Sequence, residues 1–460
     1  MTSPITCRLA RAAELAPDAT AVAAPEGSWT FAELDAEVSA RARALRAAGC
    51  RPGRWVAAVL RSDRAGVIDW LAILRAGALA LPIPPRMPEA ARDALLAEHG
   101  ITQLIPEAGA APILDTPAEP AAGSASVALH RTLPPTAACG GILTSGSTGE
   151  PRVVVHSYAN HVRSAQGSAQ LIPLGPGDRY LLSLPIHHVG GLAILFRCLE
   201  GRATLVLGGR AEDPDFLAAE GVTHVSMVET QLRRLLDAAG PAPALRCILL
   251  GGGPVAEDIL ERARQRGLQC LTSYGLTEMS SQVVTRSPDG RDVVLPHREL
   301  ALADDGEIRV RGGTRCLGYL RRGRIEGIAD PEGWLATGDL GRWRDGRLEI
   351  LGRKDNRFIS GGENIQPEAI EAALREHPAI EQAVVVPRPD PEFGHRPAAF
   401  LRGGALPSPE SLRAWLRERI SPHLLPVAFY PLPEQEGIKV RRRDLAERLR
   451  REVREGDGCG

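Results

Sequence analysis

Short apolar runs alternate with amphipathic stretches along this chain, and for most of its length the alternation is β-α-β. Leu9, Ala13 and Leu15 begin an apolar stripe of helical period. Trp29-Thr30-Phe31-Ala32-Glu33-Leu34 opens a second helix running toward Ala48, with Thr30 as cap and Glu33 three positions on. Trp55 to Leu60 reads as a buried strand and Ala65 to Ala76 as an apolar helix that Gly77 ends. Ala78 to Ile83 is the next strand. Such units predict a mostly parallel sheet with both faces covered. Residues 106–136, rich in Ala and Pro, predict an irregular connection.

The pattern resumes with strands at 180–184, 203–207, 224–228 and 247–250 and a helix over 192–199. From about 296 to 351 the runs shorten and fall between Gly turns, at 307–311, 334–336 and 347–351, which predicts a small β subdomain. A helix from Pro367 to Glu376, a strand over 383–386 and a helix from Ser411 to Ile420 form a compact module beyond it. A chain of 460 residues exceeds one core. Two domains are expected, 1–352 and 353–460.

Composition narrows the class. A net charge of −1 gives no basic field for nucleic acid and no polybasic membrane anchor. The Arg-rich terminal helix, 441–454, also carries Asp444, Glu447 and Glu452, so a solvated face is expected. No apolar run approaches the roughly 18–20 residues of a membrane helix, and Met1 to Arg8 lacks the pattern of a secretory signal. The eight cysteines stand singly, without a Cys-x-x-Cys pair, and read as reduced, mostly buried residues of a cytoplasmic protein. A homo-oligomer is left open. Only two lysines, Lys354 and Lys439, stand among 55 Lys plus Arg. Lys439 reads as a position needing a compact ammonium, and Lys354 as a chance survivor on a solvated face.

The sharpest chemistry lies in Thr144-Ser145-Gly146-Ser147-Thr148-Gly149-Glu150-Pro151-Arg152, between the apolar runs 141–143 and 153–155. Those flanks predict two buried strands joined by a polar turn. Glycines there let N–H groups converge on an anion, the hydroxyls add donors, and Arg152 adds positive charge. A polyphosphate fits such a loop. An isolated string of this kind is also an ordinary polar turn, so the decision rests on its company.

That company is Tyr274-Gly275-Leu276-Thr277-Glu278, Thr337-Gly338-Asp339, Gly352-Arg353-Lys354-Asp355, Gly361-Gly362-Glu363-Asn364-Ile365-Gln366-Pro367 and Lys439, in this order. Taken with the loop, the chain resembles the acyl- and aryl-adenylate-forming superfamily over nearly its whole length. The resemblance implies a large N-terminal α/β domain of mostly parallel sheets covered by helices, with a small β subdomain, followed by a small mobile α+β C-terminal lid. It implies ATP, Mg²⁺ and coenzyme A as cofactors and co-substrates, and a small-molecule carboxylic acid as substrate.

It also implies roles. The loop residues Thr144, Ser145, Gly146, Ser147, Thr148, Gly149 and Arg152 would hold the β- and γ-phosphates. Glu278 with Thr148 would position Mg²⁺, a hard cation that takes oxygen ligands. Thr277 would touch the α-phosphate, Tyr274 would lie near adenine, and Asp339 would accept the ribose hydroxyls, helped by Arg353. Lys439 would bridge the substrate carboxylate and the α-phosphate. Asp355 would be the hinge of a lid rotation that withdraws Lys439 and brings up Gly361 and Gly362 to line a narrow pantetheine tunnel.

The segment Leu184 to Leu192 resembles the family's acyl-pocket gate, with His188 as its histidine. His156-Ser157-Tyr158 with Ser164 to Gly167, Ser273 to Gln282 and the Gly437-Ile438-Lys439 ending resemble the o-succinylbenzoate–CoA ligase branch. Its substrate carries two carboxylates, and Arg197 with Ser280 and Ser281 is expected to meet the second one. Another aryl- or acyl-CoA ligase of benzoate type, a free-standing adenylation domain loading a carrier protein, and a non-catalytic protein on the same fold are the competing readings. A conventional P-loop ATPase is unsupported, since no Gly-x-x-x-x-Gly-Lys-Ser/Thr string occurs.

Overall fold

The computed structural model describes residues 3–107, 110, 113–114, 129–145, 151–238, 240, 243–433 and 442–456. The first β-α-β pattern becomes strand Trp55–Val59, helix Arg64–Arg75 and strand Leu79–Ile83, and the two strands pair in parallel. They belong to an eight-stranded sheet that runs 324–326, 318–321, 151–157, 138–145, 79–83, 55–59, 103–105, 113–114 across its width. A nine-stranded sheet runs 292–294, 281–286, 270–276, 247–250, 224–227, 179–181, 204–206, 20–24, 27–30. Its middle is parallel and its edges antiparallel.

One continuous core joins the two sheets. Val56, Ala58 and Ile142 of the first and Val22, Tyr180 and Leu205 of the second pack with Leu9, Phe31, Leu34, Trp70, Tyr158, Ile194 and Phe196 from five helices. The helix that begins at Phe31 is closed by the expected capping box: Thr30 accepts from Glu33 N, and Glu33 accepts from Thr30 N. Short helices at Glu89–His99, Pro214–Ala219 and Glu229–Asp237, not foreseen from the pattern, cover the outer faces. Glu229–Asp237 buries only Leu232, Leu235 and Leu236, too brief a stripe to stand out in sequence.

The chain divides into two compact units, residues 1–300 with 310–335, and 301–309 with 336–460. In the second, a three-stranded sheet of Gln382–Asp390, Gly394–Arg402 and Ala428–Pro431 has Pro367–Arg375 and Pro409–Arg417 on one face. The terminal helix Arg442–Gly456 packs on the other. Strands Leu335–Arg344 and Arg347–Arg353 pair antiparallel, with Asp339↔Arg353 and Leu340↔Gly352 as Cα partners. That pairing crosses the division expected at 352–353, so residues 336–352 cluster with the C-terminal module. The α/β class expected from the pattern is the class observed. No helix among the described residues is long and apolar enough to cross a membrane.

Candidate active site

The polar loop closes a hairpin, as its apolar flanks predict. Ala138–Ser145 and Pro151–Ser157 pair antiparallel, with Thr144↔Arg152, Leu143↔Val153 and Ile142↔Val154 in register. Thr144 and Arg152 therefore face each other at the base of the loop, where Thr144 Oγ1 lies 3.5 Å from the Arg152 carbonyl. Ser145 ends its strand opposite Pro151. Gly146, Ser147, Thr148 and Gly149, like Lys439, lie outside the described residues.

Glu278 sits in the single turn Thr277–Met279 that follows strand Cys270–Leu276. Its main-chain carbonyl accepts from Cys316 N at 2.7 Å, and its carboxylate Oε1 accepts from Tyr319 Oη at 2.9 Å. The Arg152 guanidinium lies 5.5 Å from the centre of the Tyr319 ring. Burial, and then the charge of Glu278, push the Tyr319 phenol well above its ordinary pKa, so it is a committed donor. Thr277 is held by its own carbonyl, which takes the Nε2–H of the buried His156 at 2.7 Å. Burial drops the His156 pKa to about 4. Tyr274 lies on the same strand as the turn, half-buried, opposite Val284.

After the turn the chain enters the left-handed region at two non-glycine residues, Ser280 at φ 56° and Ser281 at φ 105°. Such backbone persists only where neighbours over-determine it. Here Ser164 Oγ donates to the Ser280 carbonyl at 2.6 Å, and Ser280 Oγ donates to the Thr314 carbonyl at 2.9 Å. Arg298 Nη2 in turn donates to Ser164 Oγ at 2.9 Å.

Arg197 is brought to this turn. It is only 4% exposed, so it is no surface arginine, and its Nη2 donates to Gln282 Oε1 at 2.7 Å. Its Nε is buried without a partner among the described residues. Arg298, 6% exposed, gives its N–H groups to Gln282, Pro296 and Ser164 oxygens. Burial, and then the charge of Arg197, lower the Arg298 pKa to about 9. Neither guanidinium forms an ion pair with a carboxylate among the described residues. Two buried positive charges therefore share one region, and their hydrogen-bond partners among the described residues are neutral oxygens.

His188 precedes the helix Val189–Gly201 that carries Arg197, is exposed, and packs ring-to-ring on His187 at 4.6 Å. Burial, and then His188, lower the His187 pKa to about 4.

In the second unit, Arg353 Nη1 donates to Asp339 Oδ1 at 3.0 Å, while Nε and Nη2 grip both oxygens of Asp355 at 2.9 and 3.2 Å. The turn before Asp339 is braced: Gly338 N donates to Glu307 at 2.9 Å and Thr337 Oγ1 to the Ile308 carbonyl at 2.7 Å. Lys354 is exposed, as expected of a residue on a solvated face, and it also has partners. Its Nζ lies 2.6 Å from Asp305 and 3.1 Å from Glu307, so it anchors the acid that holds that turn. Gly361 and Gly362 adopt φ 54° and 87°, and Gly361 N donates to the Phe393 carbonyl at 3.0 Å.

No cluster of three or more His, Cys, Asp or Glu able to cage a metal exists among the described residues. Glu278 stands as a single carboxylate beside the loop base. That donor set fits Mg²⁺, which is usually held through one or two carboxylates and the substrate's phosphates.

The model of the AMP-binding enzyme family matches residues 9–320, and that of the AMP-binding enzyme C-terminal domain matches residues 369–436. The chain belongs to the AMP-binding enzyme family. Among its relatives, the 2-succinylbenzoate–CoA ligase of Escherichia coli K12 is 38% identical over 394 residues, 84% of this chain and 85% of that one. The o-succinylbenzoate CoA synthetase (MenE) of Bacillus subtilis in complex with the acyl-adenylate intermediate OSB-AMP superposes with a TM-score of 0.85. It is 30% identical, and the alignment covers 96% of this chain and 98% of that one. The same B. subtilis protein in complex with ATP and magnesium ion also gives 0.85 at 30% identity, covering 96% and 100%. In this AMP-binding enzyme, Tyr319, His156, Arg298 and the brace at Lys354 had no role assigned from the sequence. Of these, His156 and Lys354 lie within the motifs His156-Ser157-Tyr158 and Gly352-Arg353-Lys354-Asp355.

Proposed function

We propose that this chain is an ATP-dependent acid–CoA ligase that activates o-succinylbenzoate as an acyl-adenylate and passes the acyl group to CoA. The observation that carries the substrate choice is the buried Arg197, a cation with no carboxylate partner among the described residues, beside the Ser280–Ser281 turn. A buried charge is costly unless paired, and a substrate with a second carboxylate pairs it. The relatives named for this reaction, and the MenE complexes with OSB-AMP and with ATP and magnesium, support the reading. The unpaired cysteines support a cytoplasmic setting.

In the first step a carboxylate oxygen of the acid attacks the α-phosphorus of ATP, and pyrophosphate leaves. Both partners are anions, so fixed positive charge and N–H donors must offset their repulsion. The loop residues 144–149 and Arg152 cradle the β- and γ-phosphates. Thr277 meets the α-phosphate, Tyr274 lies by adenine, and Asp339, steadied by Arg353, accepts the ribose hydroxyls. Glu278 and Thr148 would hold Mg²⁺, which would supply positive charge to offset that of the phosphates. Lys439 spans the reacting carboxylate and the α-phosphate. His188 guards the acyl pocket, and Arg197, Ser280 and Ser281 receive the second carboxylate. In the second step CoA thiolate attacks the acyl carbonyl and AMP leaves. A rotation about Asp355 would exchange Lys439 for the Gly361–Gly362 turn that admits pantetheine.

The test is a coupled assay of AMP and acyl-CoA formation with Mg-ATP and CoA, comparing o-succinylbenzoate with benzoate, a fatty acid and amino acids. Turnover confined to o-succinylbenzoate, with adenylate formation lost in Lys439→Ala, is the expected result. Turnover with another acid only would discard the substrate while keeping the ligase.

A further inference from the structure

Strand Gly318–Arg321 pairs antiparallel with the loop's exit strand, with Val154↔Tyr319 and Val153↔Leu320 as partners. Side chains alternate across a strand. Leu320 and Val153 enter the outer core, so Tyr319 and Val154 point to the other face, and Arg152, two residues before Val154, shares that face. Tyr319 thus lies diagonally across from Arg152, and its ring centre is 5.5 Å from the guanidinium. From the other side Glu278 presents Oε1 to the phenol at 2.9 Å. The same short segment also fixes the Glu278 main chain, through Cys316 N at 2.7 Å.

We propose that Tyr319 is a positioning residue of the adenylation site, tying the Glu278 carboxylate to the Arg152 end of the phosphate loop. The inference rests on the proposed role of Glu278 in holding Mg²⁺. The phenol occupies one carboxylate oxygen and leaves Oε2 oriented for the cation, the way outer hydrogen bonds orient metal ligands. The ring seats Arg152 from its face. Because one side chain touches both groups, the spacing between the metal-binding carboxylate and the loop's cation is set before nucleotide arrives.

Tyr319→Phe removes the hydroxyl, and with it the bond to Glu278 and the Arg152 interaction at the phenol oxygen, while it keeps the ring beside Arg152. Calorimetric titration with ATP, once with Mg²⁺ and once with EDTA, is the measurement, with thermal melting alongside. Mg-ATP binding should weaken about tenfold, metal-free ATP binding should stay within about twofold, and the melting temperature should hold. Glu278→Gln should show the same metal-dependent loss, and adding Tyr319→Phe to it should cost little more. Equal losses with and without metal, or intact Mg-ATP binding in Tyr319→Phe while Glu278→Gln is weakened, would overturn the positioning role. Intact Mg-ATP binding in Glu278→Gln would instead overturn the assignment of Glu278, and the proposal with it.

Discussion

Asp339 and Arg353 are Cα partners on neighbouring antiparallel strands, and Arg353 Nη1 reaches Asp339 Oδ1 at 3.0 Å. Arg353 also grips both oxygens of Asp355, so its charge is divided between two carboxylates. Asp339→Ala should raise the KM for ATP about 10- to 100-fold, since hydrogen bonds to a charged group are worth roughly 1.5–3 kcal/mol. Arg353→Ala should raise it less. Steady-state kinetics with ATP varied checks both, and a larger effect at Arg353 would reverse the proposed order of roles.

Arg197 makes a specificity prediction with an unusual stability sign. Arg197→Ala should raise the KM for o-succinylbenzoate on the order of 10- to 100-fold, while turnover of a monocarboxylate such as benzoate changes little. Gln282 Oε1 keeps its hydrogen bond from Ser168 Oγ at 2.8 Å, and Arg298 loses a like-charged neighbour. The melting temperature without ligand should therefore hold or rise.

His156 predicts an acid limb in the stability curve. Its folded-state pKa is about 4, lowered by burial from the ordinary 6.5, so as pH falls the unfolded chain takes up the proton first. Stability is then lost between about pH 6.5 and 4, at up to about 1.4 kcal/mol per pH unit and on the order of 3 kcal/mol in all. His161, lowered well below its ordinary value by burial and then by His156, adds to the same trend. His156→Gln keeps an N–H for the Thr277 carbonyl and should flatten this limb. Denaturant melts at pH 7, 6 and 5 measure it.

Gly361 should separate the two half-reactions. At φ 54° a side chain is disfavoured by about 1–2 kcal/mol, and an added Cβ would lie 2.6 Å from the Phe393 ring. Gly361→Ala should slow acyl transfer from preformed acyl-adenylate to CoA roughly tenfold while pyrophosphate exchange stays near wild type. Matched losses in both would count against a pantetheine role.

Local signals were legible where the physics is local. The hairpin at 138–157 follows from two apolar runs around a polar turn, and its register matches them residue for residue. The Thr30–Glu33 box shows in four residues. The ion pairs of the exposed Lys354 were not legible because Asp305 and Glu307 lie nearly fifty positions away in the chain. Tyr319 gave no signal, since its meaning comes from Glu278, 41 residues earlier, and from a strand paired across the sheet. The division expected at 352–353 rests on a linker motif, whereas the compact units follow the pairing of Asp339 with Arg353.

The sequence by itself determined the α/β class, the family, and the residue types available for phosphate, ribose and carboxylate, because each is written in contiguous motifs or in periodicity. Tertiary structure alone decided which of those groups share a neighbourhood. It buried Arg197 and Arg298 together with no counter-ion among the described residues, turned Ser280 and Ser281 left-handed between them and Glu278, and set Tyr319 between Glu278 and Arg152. Burial and charge proximity depend on strand order and long-range register, which no local stretch of sequence encodes.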